Sequence, residues 1–119
     1  MDNLKGLKSL QHKIAIEKDK INKASLYAIA NDMPVILRIM QEHGIFVPKD
    51  FLGHGDKFYT KSKFLYWLQQ VLKMDITYET PTAVFVSAYN WQTEDDYGIG
   101  QNLDLAILRC ALHFAYGTI

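Results

Sequence analysis

Cysteine is nearly absent from this chain of 119 residues, which contains only Cys110. A single cysteine excludes an internal disulfide framework, and its position in an apolar segment predicts a core thiol. No apolar run approaches the roughly 20 residues that a helix needs to span a bilayer. The first residues also lack the apolar region of a secretory signal. We therefore expect a cytoplasmic protein without membrane association.

Chemical motifs are equally scarce. Cys110 and His113 lie three positions apart, but a nucleophilic cysteine needs an exposed, electropositive setting. No two histidines have the spacing of metal ligands, and Glu94, Asp95 and Asp96 do not form a calcium-loop pattern. No serine has the sequence context of a nucleophile elbow. The sequence therefore predicts no catalytic residues, no metal and no cofactor, and we expect a protein that is not an enzyme.

Charge is balanced over the chain but unevenly distributed. Residues 1–73 contain 12 Lys+Arg and 7 Asp+Glu, a net charge of +5, whereas residues 74–119 contain 1 and 6, a net charge of −5. Two oppositely charged halves either neutralise each other, within one chain or between two subunits, or provide separate surfaces for charged partners.

The length suits one domain over residues 1–119, and residues 102–116 form its most apolar segment. We predict a helix there, capped by Asn102 and followed by Gly117 as the exit residue. Arg109, His113 and Tyr116 fall on one stripe of this helix, and the rest of its circumference is apolar. A helix this apolar must be covered on most sides by the other elements.

The N-terminal segment has the pattern of an amphipathic helix over residues 1–20, with a narrow apolar stripe and a basic opposite face. Three alternatives exist for the stripe: packing on the domain, docking in a partner's groove, or protruding and pairing with a second copy. Dimerisation would use Leu7, Leu10 and Ile14.

Residues 22–44 predict two short helices, separated near Asn31 and Asp32 and with Pro34 in the first turn of the second. This outline is also that of a helix-turn-helix, although the second helix has no basic residue in its first turn. Residues 44–48 predict a short strand that ends at Pro48, and residues 49–62 a loop.

The second half of the sequence contains the strands of a predicted sheet. A helix from Thr60 or Ser62 to about Lys73 precedes strands at residues 76–79 and 83–89, the latter apolar on both faces. Residues 91–100 are acidic, have aromatic residues and contain two glycines as hinges, which is typical of a binding loop. The predicted fold class is α+β: N-terminal helices, then a small, mainly antiparallel sheet of two to three strands with the apolar C-terminal helix packed on it.

Residues 83–117 carry a short motif in which a tryptophan-bearing strand precedes a helix. In that helix Ala106, Ile107, Arg109, Ala111 and Leu112 match the pattern (D)xxxAIxRAAL, with Cys110 in place of one alanine and Asp104 two positions before Ala106 instead of four. The segment resembles the C-terminal part of small phage- and prophage-encoded proteins of the phage ABA-sandwich type. The resemblance implies a mobile-element origin and helix/sheet/helix layering, and it implies no catalytic residue.

These observations favour a non-enzymatic, inhibitor-like interaction protein that binds and modulates another macromolecule, with homodimerisation as an accompanying hypothesis. The expected partner is a protein with a basic surface, because acidic side chains beside aromatics complement one. The predicted contact residues are Trp91, Glu94, Asp95, Asp96 and Tyr97, with Tyr66 as a secondary contact.

The alternative is a small nucleic-acid-binding regulator that uses the basic half of the chain. Its predicted contacts are Lys5, Lys8, Lys13, Lys18, Lys20, Lys23 and Arg38.

Overall fold

A computed structural model of the chain describes residues 23–88 and 97–117. Four helices are present in these ranges: α1 (Leu26–Glu42), α2 (Asp56–Tyr59), α3 (Ser62–Val71) and α4 (Leu103–Gly117), with a 3-10 turn at Lys49–Phe51. Three strands, β1 (Met74–Thr80), β2 (Ala83–Ala88) and β3 (Tyr97–Gly100), form one sheet. The predicted N-terminal helix, including Leu7, Leu10 and Ile14, lies outside the described residues.

The sheet is an antiparallel meander in the order β1-β2-β3, with β2 at its centre. A tight turn at Pro81 and Thr82 joins β1 to β2. Val84, Val86 and Ala88 alternate along β2 and are buried, which places them on the face that α4 covers. The predicted α+β class, with a small antiparallel sheet and a C-terminal helix packed on it, is confirmed.

Helix α4 is the centre of the fold, because it contacts β2, β3, α1 and α3. Its buried side chains are those of Ala106, Ile107, Leu108, Cys110, Ala111, Leu112, His113, Phe114 and Ala115. The Oδ1 atom of Asn102 accepts a hydrogen bond from the backbone N–H of Leu105 at 2.9 Å, so the predicted cap is confirmed. The helix itself extends one residue further than predicted and includes Gly117.

Residues 26–42 form one continuous helix, so the prediction of two short helices is wrong. Pro34 lies inside α1, where a proline costs about 3 kcal/mol because it donates no hydrogen bond and its ring crowds the preceding turn. Five large side chains that share one face of α1 offset this cost at about 1.5–3 kcal/mol each. They are Ile29, Met33, Ile36, Leu37 and Met40. Without a junction between two helices, this segment cannot be a helix-turn-helix.

The start of α1 is set by Ser25. The Ser25 hydroxyl oxygen accepts a hydrogen bond from the backbone N–H of Ala28 at 3.2 Å, which satisfies one free donor of the first turn.

Residues 45–48 have no regular structure, so the predicted short strand is absent. Val47 is buried, whereas the neighbouring Phe46 is exposed. No strand of the described sheet pairs with this segment. The following segment is more ordered than the predicted loop, because it contains the 3-10 turn and α2. An aromatic cluster holds it, with the rings of Phe51, Phe58, Tyr59 and Phe64 in mutual edge or tilted contact.

Tyr59 anchors this segment through a buried hydrogen bond. Its hydroxyl donates to the backbone carbonyl of Phe51 at 2.8 Å, and the side chain is fully buried. We expect Tyr59→Phe to lower the free energy of unfolding by about 1–2 kcal/mol, because the carbonyl loses its donor in a buried site. Urea unfolding followed by circular dichroism measures this change.

Tyr27→Phe is the control for that prediction, because Tyr27 is 62% exposed and its hydroxyl keeps water as a partner. It should change the stability by less than about 0.5 kcal/mol. Equal effects of the two substitutions would show that the Tyr59 hydroxyl makes no net contribution.

The second half of the predicted binding loop is the edge strand β3, so the loop interpretation of residues 97–100 is wrong. Gly98 pairs with Val86 and Gly100 pairs with Val84. Both glycines are covered by α4: a Cβ atom on Gly98 would collide with the Ala106 carbonyl oxygen and the Cys110 amide nitrogen. They are therefore close-packing positions and not hinges.

Candidate functional site

The structure describes two of the predicted partner contacts. Tyr66 is 63% exposed on α3, and Tyr97 begins β3, where its backbone pairs with Ser87. The other predicted contacts, Trp91, Glu94, Asp95 and Asp96, lie outside the described residues, as does the side chain of Tyr97.

The exposed side of α3 forms one polar and aromatic face, which we call the α3 face. It consists of Lys63, Tyr66, Gln70 and Lys73, spaced three, four and three residues apart, so that they follow one another along the helix surface and its exit. Phe64, Leu65 and Leu68 are buried on the opposite side. Helix α3 contains no acidic residue, so the α3 face is positively charged.

The sheet brings the ends of residues 89–96 close to the exit of α3. Met74, which directly follows Lys73, pairs with Ala88, the last described residue before this segment. Tyr97, the first residue after it, pairs with Ser87. Tyr66 precedes Lys73 by seven residues, about 10 Å along a helix axis. The structure therefore places both anchors of residues 89–96 beside the exit of α3, the helix that carries Tyr66.

A shallow depression of about 350 Å³ marks this junction. It is lined by Gln69, Gln70, Lys73, Met74 and Asp75. Lys73 has a positive φ of 47°, which turns the chain from the end of α3 into β1. Sequence patterns do not predict this depression, because it depends on how α3 and β1 meet. The only signal available was the continuation of the Tyr66 spacing to Gln70 and Lys73.

The alternative, basic set is represented by Lys23 and Arg38, both exposed. Arg38 lies twelve positions beyond Leu26, the start of α1, which is about 18 Å along the axis. Lys23 precedes that start, so these two cations do not form a common patch. Lys5, Lys8, Lys13, Lys18 and Lys20 lie outside the described residues.

The residues considered for catalysis or metal binding occupy positions that serve packing in the fold. Cys110 and His113 are both buried in α4, so neither has the exposed setting of a catalytic pair. His54 lies on the surface, where its ring stacks on Phe58 at 4.0 Å between centroids and its Nε2 atom hydrogen-bonds to the Asp50 carbonyl. Within residues 23–88 and 97–117, no three His, Cys, Asp or Glu side chains come together as a metal site.

None of the helices in the described part of the chain has both the length and the apolar character to cross a membrane. Comparison of the chain with protein-family models, with curated proteins and with solved structures gave no match.

Proposed function

We propose that this chain is a non-enzymatic, inhibitor-like interaction protein that binds and modulates another protein. The observation that carries the proposal is the exposed Tyr66 ring on α3, the helix whose exit leads to Met74, the partner of Ala88. Exposed tyrosines with polar neighbours are typical centres of protein–protein interfaces, because the ring supplies contact area and the hydroxyl remains hydrogen-bonded. The resemblance of residues 83–117 supports a phage or mobile-element origin.

The proposed contact residues are those of the α3 face together with Trp91, Glu94, Asp95, Asp96 and Tyr97. They carry charges of both signs, because Lys63 and Lys73 flank Tyr66 while residues 94–96 are acidic. A complementary partner therefore has a basic patch opposite the acidic segment and a neutral or acidic patch opposite α3. This arrangement of charge also fixes the orientation in which the two proteins dock.

Affinity capture tests the proposal. The tagged chain is incubated with bacterial lysate, half of which is nuclease-treated, and bound proteins and nucleic acid are both quantified. We expect a stoichiometric protein that survives nuclease treatment. Partners that disappear on digestion, together with bound nucleic acid, would contradict the proposal and favour the regulator that uses the basic half of the chain.

Tyr66→Ala should weaken binding of the captured partner by about 1–2 kcal/mol, roughly five- to thirtyfold in Kd, if Tyr66 is a central contact. The matched control is Tyr27→Ala, because Tyr27 is 62% exposed and Tyr66 is 63% exposed, but Tyr27 lies on α1. Titration calorimetry with the purified partner measures both constants. Equal Kd values for the two variants would remove Tyr66 from the interface, and an unchanged Kd after alanine substitution of Trp91, Asp95 and Asp96 would remove the acidic segment.

A further inference from the structure

The outer edge of β1 is open in the described structure. In the order β1-β2-β3, β1 pairs with β2 on one side, and no other described strand pairs with it. Residues 77–80 are exposed, with Tyr78 at 60%. Pairing with β2 is regular from Met74 to Tyr78 and shifts between Tyr78 and Thr80. Five consecutive residues therefore present an extended backbone, and alternate N–H and C=O groups along it point away from β2.

The charge of β1 indicates which kind of strand could pair with this edge: β1 of a second copy, or a strand of a different protein. The strand contains Asp75 and Glu79, both exposed, and no basic residue. Pairing with β1 of a second copy would bring four carboxylates together, and like charges across neighbouring strands are destabilising. A strand with basic side chains would instead form favourable cross-strand pairs with them. The charges therefore oppose self-association through β1 and favour a basic partner.

The depression at the α3–β1 junction extends this edge. Met74 and Asp75 belong both to its lining and to the first positions of β1. In antiparallel pairing the carboxyl-terminal end of an added strand would lie beside Met74. The amide side chains of Gln69 and Gln70 provide hydrogen-bond donors and acceptors for one polar side chain there. Strand pairing supplies affinity in such complexes, and pockets for individual side chains supply specificity.

We propose that the β1 edge binds an extended, basic peptide segment of the partner protein by adding it as a fourth strand to the sheet. The inference rests on the proposed function, because it names the chemistry of the partner segment. On one face the added strand has a basic residue opposite Asp75 and a second one near Glu79. On the other face it has apolar residues opposite Ile76 and Tyr78. Its backbone pairs with Met74–Tyr78.

Fluorescence anisotropy with a labelled synthetic peptide tests this inference on the full chain. The probe is a seven-residue peptide with lysine at positions two and six, valine at positions three and five, and threonine elsewhere. Two further probes have backbone N-methyl groups on alternate residues, one at the odd and one at the even positions. Only one of these two sets faces β1 in a strand pair, so we expect one methylated peptide to lose binding and the other to retain it.

Charge substitutions in the protein provide the second arm. Asp75→Asn should weaken binding of the unmethylated peptide about two- to fivefold, as expected for one cross-strand ion pair. Asp32→Asn is the matched control, because Asp32 is an exposed aspartate on α1, and it should leave binding unchanged. Absence of saturable binding, or equal binding of the two methylated peptides, would overturn the inference. Equal binding would indicate attraction by charge alone.

The two proposals fail separately. A captured partner that depends on Tyr66, combined with no binding of the peptide probe, would retain the proposed function and remove the β1 site. If only one of the two methylated peptides binds and no protein partner is captured from lysate, the β1 site is retained and the wider contact surface is removed.

Discussion

Replacing Gly98 with alanine should lower the free energy of unfolding by about 3 kcal/mol or more, because the site has no room for a methyl group. The added Cβ atom would collide with the carbonyl oxygen of Ala106 and the amide nitrogen of Cys110. Both are backbone atoms of α4, so no side-chain rotation relieves the contact. Relief requires α4 to separate from β3, and α4 is the element around which the core is built.

Two other glycines provide graded controls for this prediction. At Gly100 a Cβ atom would lie 2.8 Å from the Ala106 nitrogen and 3.1 Å from the Asn102 oxygen, so Gly100→Ala should cost less, about 1–2 kcal/mol. At Gly55 a Cβ atom meets nothing within 4 Å, and φ is −87°. Gly55→Ala should change the stability by less than about 0.5 kcal/mol. Urea unfolding of the three variants measures the series, and equal costs at positions 98 and 55 would contradict close packing of β3 on α4.

Gly98 and Gly100 show how a local sequence pattern can predict the wrong structure. A Gly-x-Gly sequence after an acidic segment is typical of a flexible turn and predicts a hinged loop. In the structure the missing side chains allow a strand to lie directly against a helix backbone. Sequence composition does not distinguish a glycine chosen for its conformational freedom from one chosen for its small size, because only the packed neighbour reveals the difference.

At Pro34 the sequence predicts a helix boundary that the structure does not have. Asn31, Asp32 and Pro34 together form a typical helix start, yet the helix begins at Leu26 and continues through all three. Local preferences of a few kcal/mol are outweighed by the burial of side chains on both sides of the proline, such as Met33 before it and Leu37 after it. These contacts lie outside the local sequence window, so a local pattern could not reveal them.

The elements that the sequence predicts correctly are those whose pattern of apolar residues directly indicates which faces are buried. An almost wholly apolar helix after Asn102 had to be the core of the fold. The alternation of Val84, Val86 and Ala88 had to follow a sheet face. At the candidate site the sequence does not specify whether Tyr66 is exposed, because it is one of three aromatic residues among four consecutive positions of a helix, Phe64 to Trp67. The position of Tyr66 relative to the β1 edge depends on the α3–β1 junction, which no sequence periodicity specifies.

Arg109 is expected to have the second large effect on stability, because it joins three parts of the fold. Its Nε and Nη2 atoms donate to the Ala24 carbonyl at 3.2 and 3.0 Å, and Nη1 donates to the Ile99 carbonyl at 2.6 Å. The side chain thus ties α4 to the residue before the α1 cap and to the edge strand β3. Burial lowers the pKa of Arg109 from its usual value, since removal from water penalises the charged form. The three donated bonds offset this penalty.

Arg109→Ala should therefore lower the free energy of unfolding by about 2–3 kcal/mol, because two carbonyls lose charged donors at once. Arg109→Lys should recover less than half of the loss, since a single ammonium does not reproduce the fixed fork of the guanidinium. Arg38→Ala, at an exposed arginine on α1, is the control and should cost less than about 0.5 kcal/mol. Amide hydrogen exchange adds a specific measurement: in Arg109→Ala the first turn of α1 and β3 should lose protection together. If β3 kept its protection while α1 lost it, the link through Ile99 would be wrong, and Arg109 would serve only to fix the start of α1.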